Sequence, residues 1–417
     1  MLNRLRPKSE FSRNVLTLIT GSTIAQALPI AISPILTRIY TPEDFGLFAL
    51  FTTAIYIFGS ITNGRYELAI MLPRKDRDAI NIIALGFTIN IVISTLLYII
   101  IYLFHNRILD ILNNQEISTL LYLIPISTFL MGCFNLLRYF NNRKKLYKDL
   151  AKAKVYKSIG LIVVQLTLGF LKSGAIGLIS GHIFSQIVSN IKLWINIREL
   201  NIFSKIERKK ILAFARRYRK LPLFNLPNIL IDGFRVGTIN ILIGKLFNLS
   251  TLGQFSLAWR VVQTPMSLIG SSISEIFFQK ISISKNREEI KRVVKLYIYR
   301  ATLLTTPIFV TIYFISEPLF KFIFGTKWGI AGEIASIMTP WFFLNFLTSP
   351  ISTIFIKIDK QEILLLFSIF YALVPLIVLL IFKEHPFIET IKYLSISMSI
   401  TLSLFIALVF YTLREER

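Results

Sequence analysis

Two arginines, Arg235 and Arg260, stand inside stretches that are otherwise largely apolar. A guanidinium is always charged, and its planar fork of donors matches carboxylate or phosphate oxygens. A central arginine in a bilayer costs about 2.5–3.5 kcal/mol on insertion scales, so its presence points to an anionic ligand or a buried counter-charge. Asp232 lies one helical turn before Arg235 and could be that counter-charge in a purely structural pair, whereas Arg260 has no acid three or four positions away. Polar residues recur around them at helical steps: Asn225, Asn228, Asp232 and Arg235, then Arg260, Gln263, Ser267, Ser271 and Ser274. Two earlier stretches do the same, with Ser22, Gln26, Ser33 and Thr37, then Thr53, Tyr56, Ser60, Asn63 and Glu67. Such stripes line water-filled cavities or bind helices to one another. Glu67, Asp232 and Glu275 are the acids that could take a proton or cation.

The elements that carry these groups are apolar segments. The chain of 417 residues is 54% hydrophobic with a mean hydropathy of +0.62, more apolar surface than a soluble core can hide. A spanning helix needs about 20 apolar residues. Spans are expected near 15–37, 45–63, 80–104, 117–138, 155–171, 174–195, 222–244, 252–278, 296–316, 330–356, 361–382 and 388–412. The net charge of +24 sits mostly in every second connection, as in Arg138 to Lys154 and Arg198 to Lys220. The positive-inside rule then places both termini in the cytoplasm. No basic region is interleaved with base-stacking aromatics, so nucleic acid is not an expected partner. Membrane lipids are.

Several chemistries are excluded by what the chain lacks. One cysteine, Cys133, allows no internal disulfide. The histidines His105, His182 and His385 form no ligand-spaced motif, so no metal site is expected. There is no Walker loop for ATP, and no pair of carboxylates sits on an external loop for acid–base work. The chain is read as a non-enzyme without a bound cofactor. Its driving force is expected from a proton or sodium gradient, the membrane potential or downhill substrate flux.

The chain also repeats itself at an offset of 207 residues. Ile35 to Tyr40 aligns with Leu242 to Phe247, and the G-x-F-x-L stretch Gly46 to Leu50 aligns with that from Gly253 to Leu257. Six spans in each half would insert both halves the same way up, the parallel-repeat design of some transporters. The expected architecture is an all-α integral membrane protein of about 12 transmembrane helices, in two six-helix halves around a central cavity. The halves are 1–195 and 222–417, joined by a basic cytoplasmic linker at 196–221 whose residues Ile206 to Lys220 can form an amphipathic helix on the inner membrane surface. Pro29, Pro34, Pro227 and Pro265 interrupt the striped segments and offer bending points.

Three stretches carry a family likeness. Ile35-Leu36-Thr37-Arg38-Ile39-Tyr40-Thr41-Pro42-Glu43-Asp44-Phe45-Gly46-Leu47-Phe48 resembles the first external turn of the bacterial polysaccharide (O-antigen/capsule) lipid flippases. Asn63-Gly64-Arg65-Tyr66-Glu67-Leu68-Ala69-Ile70 and the pattern from Arg260 through Pro265, Gly270 and Phe277 to Ser282 are similar to theirs. That family belongs to the multidrug/oligosaccharidyl-lipid/polysaccharide exporter superfamily. The resemblance implies a multi-pass protein of the bacterial inner membrane. It would carry undecaprenyl-pyrophosphate-linked oligosaccharide from the cytoplasmic to the periplasmic leaflet for O-antigen, lipopolysaccharide, capsule or exopolysaccharide synthesis, alongside the polysaccharide polymerase machinery. On that reading Arg235 and Arg260 hold the pyrophosphate and Asp232 balances their charge in the empty state. Asn225, Asn228, Gln26 and Gln263 meet sugar. Arg65 and Glu67 form a cytoplasmic entry site or gate, with Glu275 a further coupling candidate. Being two residues apart, Arg65 and Glu67 are expected on different sides of one helix, without a direct salt bridge. The alternative is an ion-coupled small-molecule or drug exporter of the same superfamily, which would call for acidic rather than basic cavity residues.

Overall fold

The computed structural model describes residues 10–198, 205–284 and 286–414, and among them it contains helices and connecting turns but no strand. In chain order the helices are α1 (Glu10–Ile39), α2 (Pro42–Gly59), α3 (Asp76–Leu103), α4 (His105–Leu112), α5 (Ser118–Leu121), α6 (Leu123–Arg143), α7 (Tyr147–Phe170), α8 (Ala175–Ile195), α9 (Arg208–Arg217), α10 (Lys220–Leu246), α11 (Leu249–Ser282), α12 (Arg287–Phe324), α13 (Gly329–Ile337), α14 (Thr339–Ile351), α15 (Ile354–Lys357), α16 (Gln361–Ile381) and α17 (Phe387–Thr412). Among the described residues, seven helical stretches are long and apolar enough to cross a bilayer. The bent run of 326–337 and 339–357, which turns by 51°, is an eighth candidate. At the remaining apolar segments α2, α8, α10 and α11 run for 18, 21, 27 and 34 residues.

The repeat read in the sequence recurs in the helix boundaries. Helix α1 ends at Ile39 and α2 begins at Pro42; α10 ends at Leu246 and α11 begins at Leu249, each 207 residues on. Both second helices start with a capping box. The Asp44 carboxylate accepts from Thr41 N at 2.9 Å, and the Thr41 hydroxyl accepts from Asp44 N at 3.2 Å. At the equivalent positions Asn248 Oδ1 accepts from Thr251 N at 2.8 Å and Thr251 Oγ1 from Asn248 N at 3.3 Å. Each box satisfies two backbone donors that would otherwise be left bare at a helix start, worth about 1 kcal/mol.

Contacts divide the chain into two compact units, Met1–Gly233 and Phe234–Arg417, with the division inside α10. In the first unit α1 lies along α7, α7 along α8, and α6 against both α3 and α8. Tyr40, in the turn between α1 and α2, is gripped by the α7–α8 hairpin. Its hydroxyl donates to Gln165 O at 2.6 Å, and a Cβ on Gly169 would come within 2.8 Å of its ring. In the second unit α12 lies along α13, and α14 against α11 and α17, around fully buried Trp328 and Trp341.

Several boundaries differ from expectation; the segment expected near 296–316, for one, is the longer helix Arg287–Phe324. The segment expected near 155–171 is a helix from Tyr147 onward, because the helix extends back from the apolar stretch into a basic one. The segment expected to 63 stops at Gly59 and gives way to turns and a 3₁₀ helix, Tyr66–Met71. The expected amphipathic helix is α9, but protein covers its apolar side. Ile211, Phe214, Ala215 and Tyr218 pack on the core around Tyr66, Ile70 and Ile80. The Asn81 side chain holds the approach to α9, donating to Lys205 O at 3.1 Å and accepting from Glu207 N at 2.7 Å. Glu207 pairs with Arg77 at 2.8 Å and Lys210 at 2.9 Å, and the Lys210 hydrogen bond, chiefly, keeps its carboxyl below the usual glutamate range.

Candidate functional site

In the first unit the polar stripes of α2 and α10 meet at one bond. Tyr56 Oη donates to Asp232 Oδ2 at 2.6 Å, so the acid read as a counter-charge is held by a phenol. Asn225, two turns earlier on α10, donates to its own helix at Leu221 O, 3.1 Å away. The Asn228 side chain lies outside the described residues, as does that of Ser271. On α1 the stripe divides. Ser33 and Thr37 are buried and donate to backbone carbonyls three residues back, a packing role. Ser22 accepts from Lys154 Nζ at 2.7 Å, and Gln26, one turn on, is exposed.

Arg65 and Glu67 correct an expectation. They form a salt bridge, Nη1 to Oε1, of 3.0 Å. The expectation assumed one continuous helix. The backbone instead turns left-handed at Gly64 (φ +56°) and Arg65 (φ +63°), which brings side chains two apart to the same side. Gly64 takes that conformation freely, whereas Arg65 pays about 1–2 kcal/mol for it. Asn63 anchors the turn by donating to Gly132 O on α6 at 3.0 Å. The Glu67 side chain is 2% exposed. Burial raises its pKa above the ordinary value, against the opposing pull of Arg65 and Arg138.

The sequence reading missed part of this unit. It counted Arg138 and Lys154 among loop charges and did not single out Lys157, yet all three ride on helices α6 and α7. Lys157 Nζ stands 4.9 Å from the ring centre of Phe134, and Arg138 Cζ 5.0 Å from that of Tyr139. The three-residue step from Lys154 to Lys157 was the available signal. A span expected to begin at 155 hides it, since Lys154 then falls in the connection and Lys157 in the helix.

In the second unit Arg235 Cζ lies 5.3 Å from the ring centre of Tyr371, whose hydroxyl accepts from Trp341 Nε1 at 2.9 Å. The aromatic face favours the cation and the indole fixes the ring. Arg260 and Gln263 are half-buried on α11, and Gln263 Oε1 is enclosed without a hydrogen bond among the described residues. Beside Arg260, Trp259 packs on Trp341 and Phe342 with ring centres 5.2 and 5.3 Å apart. Glu275 is exposed near the end of α11. A separate cavity of about 860 Å³, lined by Tyr313, Glu333, Lys392 and Ser399 among others, contains none of the residues named from the sequence.

Residues 35–331 match the family model described as polysaccharide biosynthesis protein. The chain belongs to that family. It is 22% identical over 332 residues to the succinoglycan biosynthesis transport protein ExoT of Rhizobium meliloti (strain 1021), covering 78% of this chain and 65% of that one. It is 20% identical over 285 residues to the teichuronic acid biosynthesis protein TuaB of Bacillus subtilis (strain 168), covering 66% and 57%. The chain therefore spans somewhat under two thirds of the length of these relatives. Its fold is similar to that of the lipid II flippase MurJ in an inward closed conformation, with a TM-score of 0.73, 16% identity, and 94% and 87% of the two chains covered. An inward-facing multidrug resistance MATE family transporter of the MOP superfamily gives a TM-score of 0.71 at 14% identity, covering 95% and 94%. The chain thus combines membership of the polysaccharide biosynthesis family with a fold similar to those of MurJ and the MATE transporter. The protein is a multi-pass protein of the bacterial inner membrane in polysaccharide biosynthesis.

Proposed function

We propose that this protein is a flippase for undecaprenyl-pyrophosphate-linked oligosaccharide, moving repeat units from the cytoplasmic to the periplasmic leaflet for surface polysaccharide synthesis. One observation carries the reading: Arg235 is held on the Tyr371 ring, a ring that Trp341 fixes in turn, on helices otherwise built for hydrocarbon. A cation kept at such a cost serves an anion, and a lipid pyrophosphate is a dense one that arginine binds through two oxygens at once. Membership of the polysaccharide biosynthesis family supports a glycan as the cargo.

In this reading about twelve spans in two six-helix halves, 1–195 and 222–417, leave both termini in the cytoplasm. The carrier works by alternating access through a cationic cavity, without covalent catalysis. Arg235 and Arg260 hold the pyrophosphate. Asn225, Gln26 and Gln263 meet sugar hydroxyls. Asp232, held by Tyr56, takes the proton or sodium ion that couples transport to a gradient. Arg65 and Glu67 gate the cytoplasmic mouth, and the polysaccharide polymerase receives the product.

The test is the leaflet location of lipid-linked oligosaccharide in cells lacking the protein and in cells re-expressing it. Build-up in the inner leaflet, cleared on re-expression, is expected. Unchanged outward delivery in the absence of any substitute flippase would overturn the reading and favour a small-molecule exporter.

A further inference from the structure

The α6–α7 hairpin carries three cations that the clamp on Arg235 and Arg260 does not use. Arg138 lies five residues before the end of α6, and Lys154 and Lys157 lie within the first three turns of α7. Lys157 rests on Phe134, and Phe134 stands one helical turn before Arg138, so the arginine and this lysine share a face. Arg138 is close enough to both lysines to act on each electrostatically. Lys154 reaches across to Ser22 on α1 at 2.7 Å. All three side chains are half-buried, and none makes a salt bridge with a carboxylate among the described residues. Glu67, which feels the charge of Arg138, is already bridged to Arg65.

Like charges brought together at partly desolvated positions repel one another more strongly than in water. An acid within reach could relieve that repulsion, as Asp149 of α7 does for Lys192 of α8 at 2.8 Å. Among the described residues Lys154 and Lys157 have no carboxylate bridge, and Glu67, the acid on which Arg138 acts, is already bridged to Arg65, so the surplus is available to an anion from outside. Two ammonium groups on flexible stems and one planar fork suit the several oxygens, spread over two phosphorus centres, of a diphosphate ester.

We propose that Arg138, Lys154 and Lys157 form a pyrophosphate subsite in the first unit, which takes the headgroup of the lipid-linked glycan at loading. This rests on the flippase reading. In the proposed topology the α6–α7 connection is cytoplasmic, the side from which the substrate arrives. Ser22 and the exposed Gln26, one turn apart on α1, continue the polar surface from Lys154 toward where the first sugar would lie.

The experiment measures binding of undecaprenyl pyrophosphate to the full-length protein in lipid nanodiscs, with undecaprenyl monophosphate for comparison. Lys154→Gln and Lys157→Gln are each expected to weaken pyrophosphate binding by about tenfold, Lys157→Arg to restore most of it, and Lys152→Gln, exposed on the same helix, to leave it unchanged. Tight binding by wild type and both glutamine variants alike would overturn the subsite and leave the flippase reading standing. Failure of wild type to bind any polyprenyl pyrophosphate would overturn both. The unaltered protein gives a second readout if a variant does not fold. Undecaprenyl pyrophosphate should slow amine-selective labelling of Lys154 and Lys157, and equal labelling with and without it would overturn the proposal.

Discussion

Arg65 Nη1 lies 3.0 Å from Glu67 Oε1, a pairing that two such positions on a continuous α-helix would not make. It exists because Arg65 occupies the left-handed region and starts a 3₁₀ turn. The bridge closes over a carboxylate that is almost fully buried. Arg65→Ala should therefore destabilise the protein by about 3 kcal/mol, the cost of leaving a buried charge without its partner. Thermal unfolding in detergent measures this, and an unchanged midpoint would count against a structural role for the bridge.

The same pair has a pH signature. Burial raises the Glu67 pKa above 4.5, although Arg65 and Arg138 oppose it. The folded state then holds the proton more tightly than the unfolded state. Stability from this group is complete below pH 4.5 and is lost as pH rises through the folded value. Wild type should lose stability relative to Glu67→Gln as pH climbs from 4.5 toward neutrality. Parallel stability curves across that range would show that the carboxyl is not strained by burial.

Tyr56→Phe removes one hydroxyl and frees Asp232 from its 2.6 Å bond. Hydrogen bonds to charged groups contribute about 1.5–3 kcal/mol. If Asp232 is the coupling site, the variant should fold and bind substrate but shift the dependence of transport on the proton or sodium gradient. Transport with an unaltered gradient dependence would assign the bond to packing alone.

At the proposed clamp, charge and geometry can be separated. Arg260→Lys should keep more transport than Arg260→Ala, and Arg260→Glu should abolish it at normal expression. Tyr371→Phe should retain the ring face under Arg235 while losing the Trp341 bond, and Tyr371→Ala should lose both, with a cation–π contribution of about 0.5–2 kcal/mol at stake. Wild-type transport by all three Arg260 variants would remove that residue from the pyrophosphate site.

The α7–α8 grip on Tyr40 gives a prediction independent of function. Gly169→Ala places a methyl group 2.8 Å from the Tyr40 ring, and overpacking of that kind costs about 1–3 kcal/mol. A lowered unfolding midpoint with substrate affinity intact is the expected outcome.

Much of the architecture is legible in the sequence because a bilayer imposes a simple length and polarity code, and because the repeat aligns the equivalent turns at Tyr40 and Phe247. The capping boxes Thr41/Asp44 and Asn248/Thr251 share the offset that the hydrophobic pattern announced. The local exceptions were not legible. The run from Asn63 to Glu67 looked like a helix end, since polarity alone does not reveal two successive left-handed residues. Lys154 looked like a loop charge, because a basic helix extension and a basic loop share one composition, and Lys157 was hidden inside the expected span 155–171. Tyr56 and Asp232, 176 residues apart, carried no mutual signal except that each lay on a polar stripe.

The most direct test of the account is reconstitution. The purified protein is placed in liposomes carrying polyprenyl-pyrophosphate-linked oligosaccharide, and the fraction of glycan open to an enzyme added outside is followed with time. The account predicts that wild type makes the inner-leaflet pool accessible and that Arg260→Glu leaves it protected. A pool that stays protected with folded wild-type protein, gradient applied, would contradict it.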